Sequence, residues 1–170
     1  MTFEALATLL VGGVVGFLAG VARLRYERAW SFKNDHYRSI LVKLDEIRSY
    51  AGDAEIASLP AGSALTDKSP AEIRYLIASN VNWLAHHHSI ASLFISAEAT
   101  HVIDEYVKKA KQQEFDWVEH AQTGGYDDTF LSDGFRIHKT IVQGTINNLT
   151  PLARKDLRLS LLSRLRWSNN

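Results

Sequence analysis

The longest uncharged run of the sequence is the feature that most constrains its fold. Residues 5–22, ALATLLVGGVVGFLAGVA, carry no charge, and Arg23, Arg25 and Arg28 follow directly. A helix of this length spans about 27 Å, close to the hydrocarbon thickness of a bilayer. Its Leu, Val and Phe side chains favour insertion by about 3–5 kcal/mol, and its glycines offset part of this. The run therefore predicts a transmembrane helix.

The sequence leaves three fates open for this helix. A cleaved signal peptide fits Gly20-Val21-Ala22, which resembles a cleavage site, but the leading MTFE is acidic where such a peptide is basic. A buried helix of a soluble protein is the second alternative. We expect the third, a retained signal-anchor over residues 1–25. Because the arginines follow the run, the positive-inside rule places the N-terminus outside the inner (plasma) membrane and residues 26–170 in the cytoplasm.

A stripe of small residues lies within this run. Thr8, Gly12, Gly16 and Gly20 recur every four positions, so they share one face of a helix. Such a face lets two transmembrane helices approach closely and pair. We expect self-association through this face and therefore a homo-oligomer; whether the face also forms a pore stays open.

Composition removes several classes of chemistry. The chain has no cysteine, which excludes disulfides, thiolate metal sites and thiol nucleophiles. Its formal net charge is zero, but the charge is uneven along the chain. Residues 23–33 and 154–166 are basic, whereas residues 34–153 are acidic. We expect no nucleic-acid partner, because the chain is neutral overall and the predicted anchor already supplies an anionic surface.

Helical periodicity continues past the predicted anchor. Apolar residues recur at two heptad positions, namely Trp30, Tyr37, Leu44 and Ala51 at one and Ile40 and Ile47 at the other. Neither Pro nor Gly interrupts residues 22–51. One helix should therefore run from the membrane to about residue 50, end at Gly52, and give way to a loop over residues 52–68.

Capping signals divide the rest of the chain. Ser69-Pro70-Ala71-Glu72 combines a capping serine, a proline in the first turn and a glutamate that reaches back to the cap. Ser96 predicts a third helix, which should stop at Gly124-Gly125. A fourth should begin near Asp127-Asp128; in it Gly134 and Gly144 either weaken the helix or mark close packing.

Thr150-Pro151 predicts a restart as a fifth helix. The expected fold is all-α: an N-terminal single transmembrane helix that continues into an antiparallel cytoplasmic bundle of about four to five helices.

The last helix interleaves leucines with basic residues and ends near a tryptophan. A basic, leucine-rich helix can lie on an anionic membrane. The alternative is that the leucines pack into the bundle while the arginines stay in water. The residues expected at the membrane surface are Arg23, Arg25, Arg28, Arg154, Lys155, Arg158, Arg164, Arg166 and Trp167.

Two histidine patterns suggest metal binding. Consecutive helical residues point about 100° apart, so at most one or two of His86, His87 and His88 could join ligands from other helices. Glu98 and His101 form one Glu-x-x-His pair, whereas di-iron bundles use two such pairs and two further glutamates. We expect no metal, no cofactor and no catalytic residue.

These observations favour a non-enzymatic, membrane-anchored helical interaction or scaffold protein. It would self-associate through its glycine-rich face and present its bundle to an unknown cytoplasmic protein partner. Two alternatives stay open: a membrane-perturbing effector or toxin built on the same face, and a metal-dependent helical-bundle enzyme that uses Glu98 and His101.

Overall fold

The structure, a computed structural model, describes the backbone of residues 3–57, 68–122 and 128–167, and within these the side chains of residues 13–57, 68–120 and 130–158. The described backbone forms four helices: α1 (Phe3–Ala57), α2 (Pro70–Ala91), α3 (Ala97–Gln122) and α4 (Asp128–Trp167). The predicted all-α class is therefore confirmed, with four helices in a bundle.

Each helix packs against two neighbours. α1 contacts α2 and α4, and α3 contacts the same two helices from the opposite corner. Neighbouring helices run antiparallel, because along each helix pair the contacts advance in one sequence while they retreat in the other. Two contacts for each pair show this: His36–His87 and Glu46–Asn80, Arg74–Glu114 and His88–Asp104, Gln113–Gly134 and Glu98–Lys155, and Tyr37–Asp156 and Glu55–Lys139. The result is a four-helix bundle around one core.

The core follows the predicted heptad stripe of α1. Tyr37, Ile40, Leu44, Ile47 and Ala51 are all buried. The other three helices present residues of the same kind, buried at three- and four-residue spacing: Ile73, Ile77, Val81 and Leu84 from α2; Ala99, Ile103, Tyr106, Ala110 and Trp117 from α3; Phe135, Val142, Leu149 and Ala153 from α4. Trp30, the first member of the stripe, is only half-buried.

The capping predictions for α2 and α3 are confirmed. The Ser69 hydroxyl accepts from the Glu72 amide at 3.3 Å, and the Ser69 amide donates to the Glu72 carboxylate at 2.7 Å. Both halves of a capping box are thus present, with Pro70 in the first turn. At α3 the Ser96 hydroxyl accepts from the Ala99 amide at 3.3 Å.

Two predicted helix boundaries are wrong. α1 does not end at Gly52 but continues to Ala57, because Ala51 and Ala54 on either side are buried in the core. Residues 58–67 of the predicted loop lie outside the described residues. Pro151 does not begin a fifth helix; it lies inside α4, whose buried residues Leu149 and Ala153 bracket it on the same core-facing side.

The predicted transmembrane helix is not supported by the part of the chain that the structure describes. Among the described residues, no helix combines the length and the apolar content required to cross a bilayer. The side chains of residues 1–12, which include Thr8 and Gly12, lie outside that part.

The register of the bundle defines two ends. His36 and Glu46 of α1 contact His87 and Asn80 of α2, and Phe32 of α1 contacts Phe94 of the α2–α3 turn. α4 runs the other way along α1, with Lys139 beside Glu55 and Asp156 beside Tyr37. We call the end near residues 26–37 of α1 the proximal end. The α2–α3 turn and the C-terminal part of α4 lie there.

Candidate functional site

An apolar extension of α1 projects beyond the proximal end. All of residues 13–25 are exposed except the half-buried Val21. Val14, Val15, Phe17 and Leu18 are 57–71% exposed, and steps of 100° place them within an arc of about 160°. The rest of the circumference carries only glycine and alanine, so residues 13–22 have no polar side chain on any side. A helix that is apolar all round is normally buried in a core or a membrane. The extension is therefore the strongest candidate for a binding surface.

The glycine face of this extension is open. A Cβ added at Gly16 or Gly20 would meet nothing within 4 Å. These two residues of the predicted self-association stripe thus share a surface that the bundle leaves uncovered; the exposure of Thr8 and Gly12 lies outside the described residues. Larger side chains at Gly16 or Gly20 would cause no clash within the chain itself.

The predicted basic residues surround the proximal part of the molecule. Arg23 pairs with Glu27 at 3.1 Å, and Arg25 and Arg28 are exposed on the same helix. On α4, Arg154, Lys155 and Arg158 are exposed; Arg154 also lines a groove of about 800 Å³ between α1 and α4, and Lys155 reaches Glu98 at 3.3 Å.

The rest of α4 continues toward the base of the extension. From Asp156, which lies beside Tyr37, the α4 backbone runs on to Trp167 in the direction of Arg28. The side chains of Arg164, Arg166 and Trp167 lie outside the described residues. The backbone nevertheless brings the basic C-terminal segment and the basic N-terminal segment to one end of the bundle, although they are far apart in sequence.

A buried polar link fixes α4 at this end. The Tyr37 hydroxyl donates to Asp156, and the Ser96 amide donates to the same carboxylate oxygen at 2.9 Å. Burial raises the pKa of Asp156, but these hydrogen bonds outweigh it, so the pKa of the carboxyl lies below its ordinary value. Burial and the hydrogen bond to Asp156 raise the pKa of Tyr37. One carboxylate thus joins three elements: α1, α4 and the α2–α3 turn.

An aromatic cluster joins α1 to α2 beside this link. His36 Nδ1 lies 3.0 Å from His87 Nε2, His87 stacks on Trp83, and His36 stacks on Phe94. Burial, and secondarily the neighbouring His36, lowers the pKa of His87. Of the consecutive histidines, His87 alone meets a histidine of another helix within the described part of the chain.

Among the described side chains, the other residues of the two histidine motifs are not gathered into one cluster. His86 bonds the Asn82 carbonyl at 2.8 Å, and His88 approaches Asp104 at 3.4 Å. Glu98 and His101 are both exposed, and Glu98 pairs with Lys155 of α4. Across the described side chains there is no group of three or more His, Cys, Asp or Glu residues that could hold a metal ion.

A second buried network lies toward the other end of the bundle. Gln113 Nε2 donates to the Gly134 carbonyl at 2.6 Å, which leaves Gln113 Oε1 to accept from His138 Nδ1 at 2.8 Å. His138 Nε2 therefore accepts from the Tyr106 hydroxyl at 3.2 Å. This pattern requires a neutral imidazole, and burial lowers the pKa of His138 to about 4. The network satisfies the polar groups of the buried Tyr106 and His138 and of the half-buried Gln113.

Sequence reasoning located the extension and its basic flanks but missed the polar link and the aromatic cluster. Their partners are far apart in the chain, so no local spacing reports them. One signal was available: Tyr37 stands in a heptad stripe, and a buried tyrosine hydroxyl needs a partner. Asp156, the single acid among the basic residues 154–166, was a candidate for that partner.

Comparison with known proteins found no matching family model, no similar curated protein and no similar solved structure.

Proposed function

We propose that the chain is a non-enzymatic, membrane-anchored helical interaction protein. Residues 5–22 would insert in the inner (plasma) membrane as a single span. The bundle would lie at its cytoplasmic face, where it would bind a protein partner. The observation that carries this proposal is the apolar extension. Val14, Val15, Phe17 and Leu18 are exposed to solvent, the other side of residues 13–22 carries only glycine and alanine, and a bilayer would cover this whole surface at once.

A bilayer fits the extension better than a partner protein does. A docking partner covers one face of a helix, whereas residues 13–22 carry no polar side chain on any face. The uncharged run of residues 5–22 also matches the bilayer in length, and Arg23, Arg25 and Arg28 follow at the edge where cytoplasmic arginines are enriched.

The anchor is tested by a charge at the middle of the run. Val14→Arg replaces an apolar side chain with one that costs about 2.5–3.5 kcal/mol at the centre of a membrane helix. That cost is close to the whole insertion energy of the run. We expect the full chain to move from the carbonate-resistant membrane fraction to the supernatant. Because Val14 is exposed, the bundle should stay folded.

Ala29→Arg is the matched control for this experiment. Ala29 is exposed and lies on the same helix, beyond the uncharged run, so an added arginine there should leave the chain in the membrane fraction. If wild-type protein is found in the supernatant after high-speed centrifugation of lysed cells, the anchor is wrong.

We also propose that the anchors pair through the glycine face. Gly16→Leu adds bulk where the chain itself leaves open space, so it should reduce the oligomer size in detergent without unfolding the bundle. Val14→Phe adds bulk on the opposite side of the helix and should leave the oligomer unchanged. Equal sizes for wild type and Gly16→Leu would remove the glycine face from the proposal.

The proposed topology can be read with a single label. The chain has no cysteine, so Tyr75→Cys introduces one labelling site on an exposed position of α2. A membrane-impermeant maleimide should label it only after the cells are opened. Labelling of intact cells would place the bundle on the wrong side of the membrane.

A further inference from the structure

We propose that the turn between α2 and α3, residues 91–96, is a second membrane contact, which inserts Leu93 and Ile90 into the headgroup layer of an anionic bilayer. This proposal rests on the membrane anchor proposed above. It adds a contact made by the bundle itself, through residues that sequence reasoning did not single out.

The turn presents apolar side chains to solvent. Leu93 is 78% exposed and Ile90 is 57% exposed. Phe32 of α1, 54% exposed, stacks on Phe94 of the turn with ring centroids 5.8 Å apart. Large apolar residues this exposed, grouped at one tip and continuous with a neighbouring helix, are typical of an interaction surface.

The exposure of the tip is not a result of loose structure. The amides of Ser92, Leu93 and Phe94 donate to carbonyls of the preceding turn at 2.8–3.2 Å. Ala91 and Ile95 are buried on the inner side, and the Ser96 amide donates to Asp156. The backbone of the turn is thus satisfied internally, so it can enter a low-dielectric layer without unpaired amides.

The position of the turn favours the bilayer as its occupant. It lies at the proximal end, from which the apolar extension emerges, because Phe94 and His87 contact Phe32 and His36. A surface there would face the same membrane that holds the anchor. No other described turn joins two helices at this end.

The charges around the turn favour an anionic surface. Exposed or half-buried basic residues at this end are Arg28, Lys33, Arg154, Lys155 and Arg158. The acids that face them are largely paired: Glu27 with Arg23, Glu98 with Lys155, and Asp156 with Tyr37 and Ser96. Asp35 accepts from Ser31 at 3.4 Å. Basic side chains near an anionic leaflet attract it.

The turn can reach the headgroups if the helix tilts. Leu24 is the last apolar residue of the extension, and Phe32 lies about 12 Å further along the axis. With helix axes 8–10 Å apart, a tilt of about 30° toward α2 brings the turn to about 6 Å from the hydrocarbon edge. That depth falls within the headgroup layer, about 5–8 Å thick on each side.

The test uses single cysteines in the full chain, which has no cysteine of its own. Leu93→Cys carries an environment-sensitive fluorophore in proteoliposomes of 70% phosphatidylcholine and 30% phosphatidylserine. Tyr75→Cys is the matched control: Tyr75 is 74% exposed, but it lies on the first turns of α2, toward the opposite end of the bundle. Both positions are exposed, so labelling should leave the fold intact.

We expect a blue-shifted emission with a several-fold gain in intensity at Leu93, and quenching by lipids that carry a spin label near the headgroup. The Tyr75 label should stay as in water. A water-like Leu93 label on vesicle-bound protein overturns the second contact and leaves the anchor standing. A blue-shifted label that the lipid quencher does not reach indicates a protein contact and also overturns it. Failure of the unlabelled chain to float with vesicles overturns both proposals.

Discussion

The two glycines of α4 provide a matched pair for testing how the core is packed. At Gly134, an added Cβ would overlap the indole nitrogen of Trp117 and lie 2.9 Å from Cε2 and 3.0 Å from Cζ2. At Gly144, an added Cβ would meet nothing within 4 Å. The same substitution, glycine to alanine, therefore probes a filled and an empty environment in one helix.

Both substitutions gain helix propensity, and only Gly134→Ala also incurs a packing cost. Alanine is about 1 kcal/mol better than glycine inside a helix, so Gly144→Ala should stabilise the chain by about that amount. Gly134→Ala has the same gain, but Trp117 is buried in the core, and overpacking costs about 1–3 kcal/mol. Because the overlap is severe, we take the upper part of this range and expect a net loss of about 1–2 kcal/mol.

Thermal unfolding of the full chain in mild detergent, followed by tryptophan fluorescence, measures both changes. At about 2–4 °C per kcal/mol for a chain of this size, Gly134→Ala should lower the midpoint by about 3–6 °C and Gly144→Ala should raise it by about 3 °C. Shifts of the same sign in both variants would refute the close packing of Trp117 on Gly134.

Two further predictions concern the buried polar networks. Since burial lowers the pKa of His138 to about 4 against about 6.5 in the unfolded chain, the unfolded state gains protons first as the pH falls. The free energy of unfolding of the wild type should therefore fall by about 3 kcal/mol between pH 6.5 and 4, as measured by urea titration. His138→Gln should show a smaller fall than the wild type, whereas the exposed His101→Gln should show the same fall. Tyr37→Phe removes a hydrogen bond to the buried Asp156 carboxylate, so it should lower the free energy of unfolding by about 2 kcal/mol at pH 7 in the same titration and raise the pKa of Asp156. An unchanged free energy of unfolding would count against the polar link.

Local signals predicted the parts of the fold that local physics determines. The capping box at Ser69 and Glu72 depends on residues three apart, and the structure contains both of its hydrogen bonds. The heptad stripe of α1 identified Tyr37 and Leu44 as core because helical periodicity fixes which residues share a face. Neither prediction required knowledge of what the helix packs against.

The wrong boundaries show where packing overrides local preference. Glycine and proline disfavour a helix interior by about 1 and 3 kcal/mol, respectively, so Gly52 and Pro151 were natural places to end one. Both helices continue because the buried residues on either side of the break face one core. The gain from that burial is a property of the assembled bundle, and a single helix does not display it.

The candidate site also combines features that the sequence predicted with features that only the packing of the helices determines. The apolar extension and the basic residues are visible in composition, so they were predicted. That the basic segments at opposite ends of the chain lie at the same end of the bundle depends on the register between α1 and α4, which no spacing encodes. Leu93 carries no local signal in the sequence; its position at the proximal end follows from the packing of the turn, in which Phe94 stacks on Phe32.

The unbroken course of α1 has a mechanical consequence. Its 55 residues form one rod about 80 Å long, with no joint between the apolar extension and the core stripe at Tyr37 and Leu44. A rotation imposed on one end is conveyed as torque to the other, since the side chains of both segments are fixed to one axis. Residues 23–57 also act as a lever of about 50 Å, so a 10° change of inclination displaces the distal tip by about 9 Å.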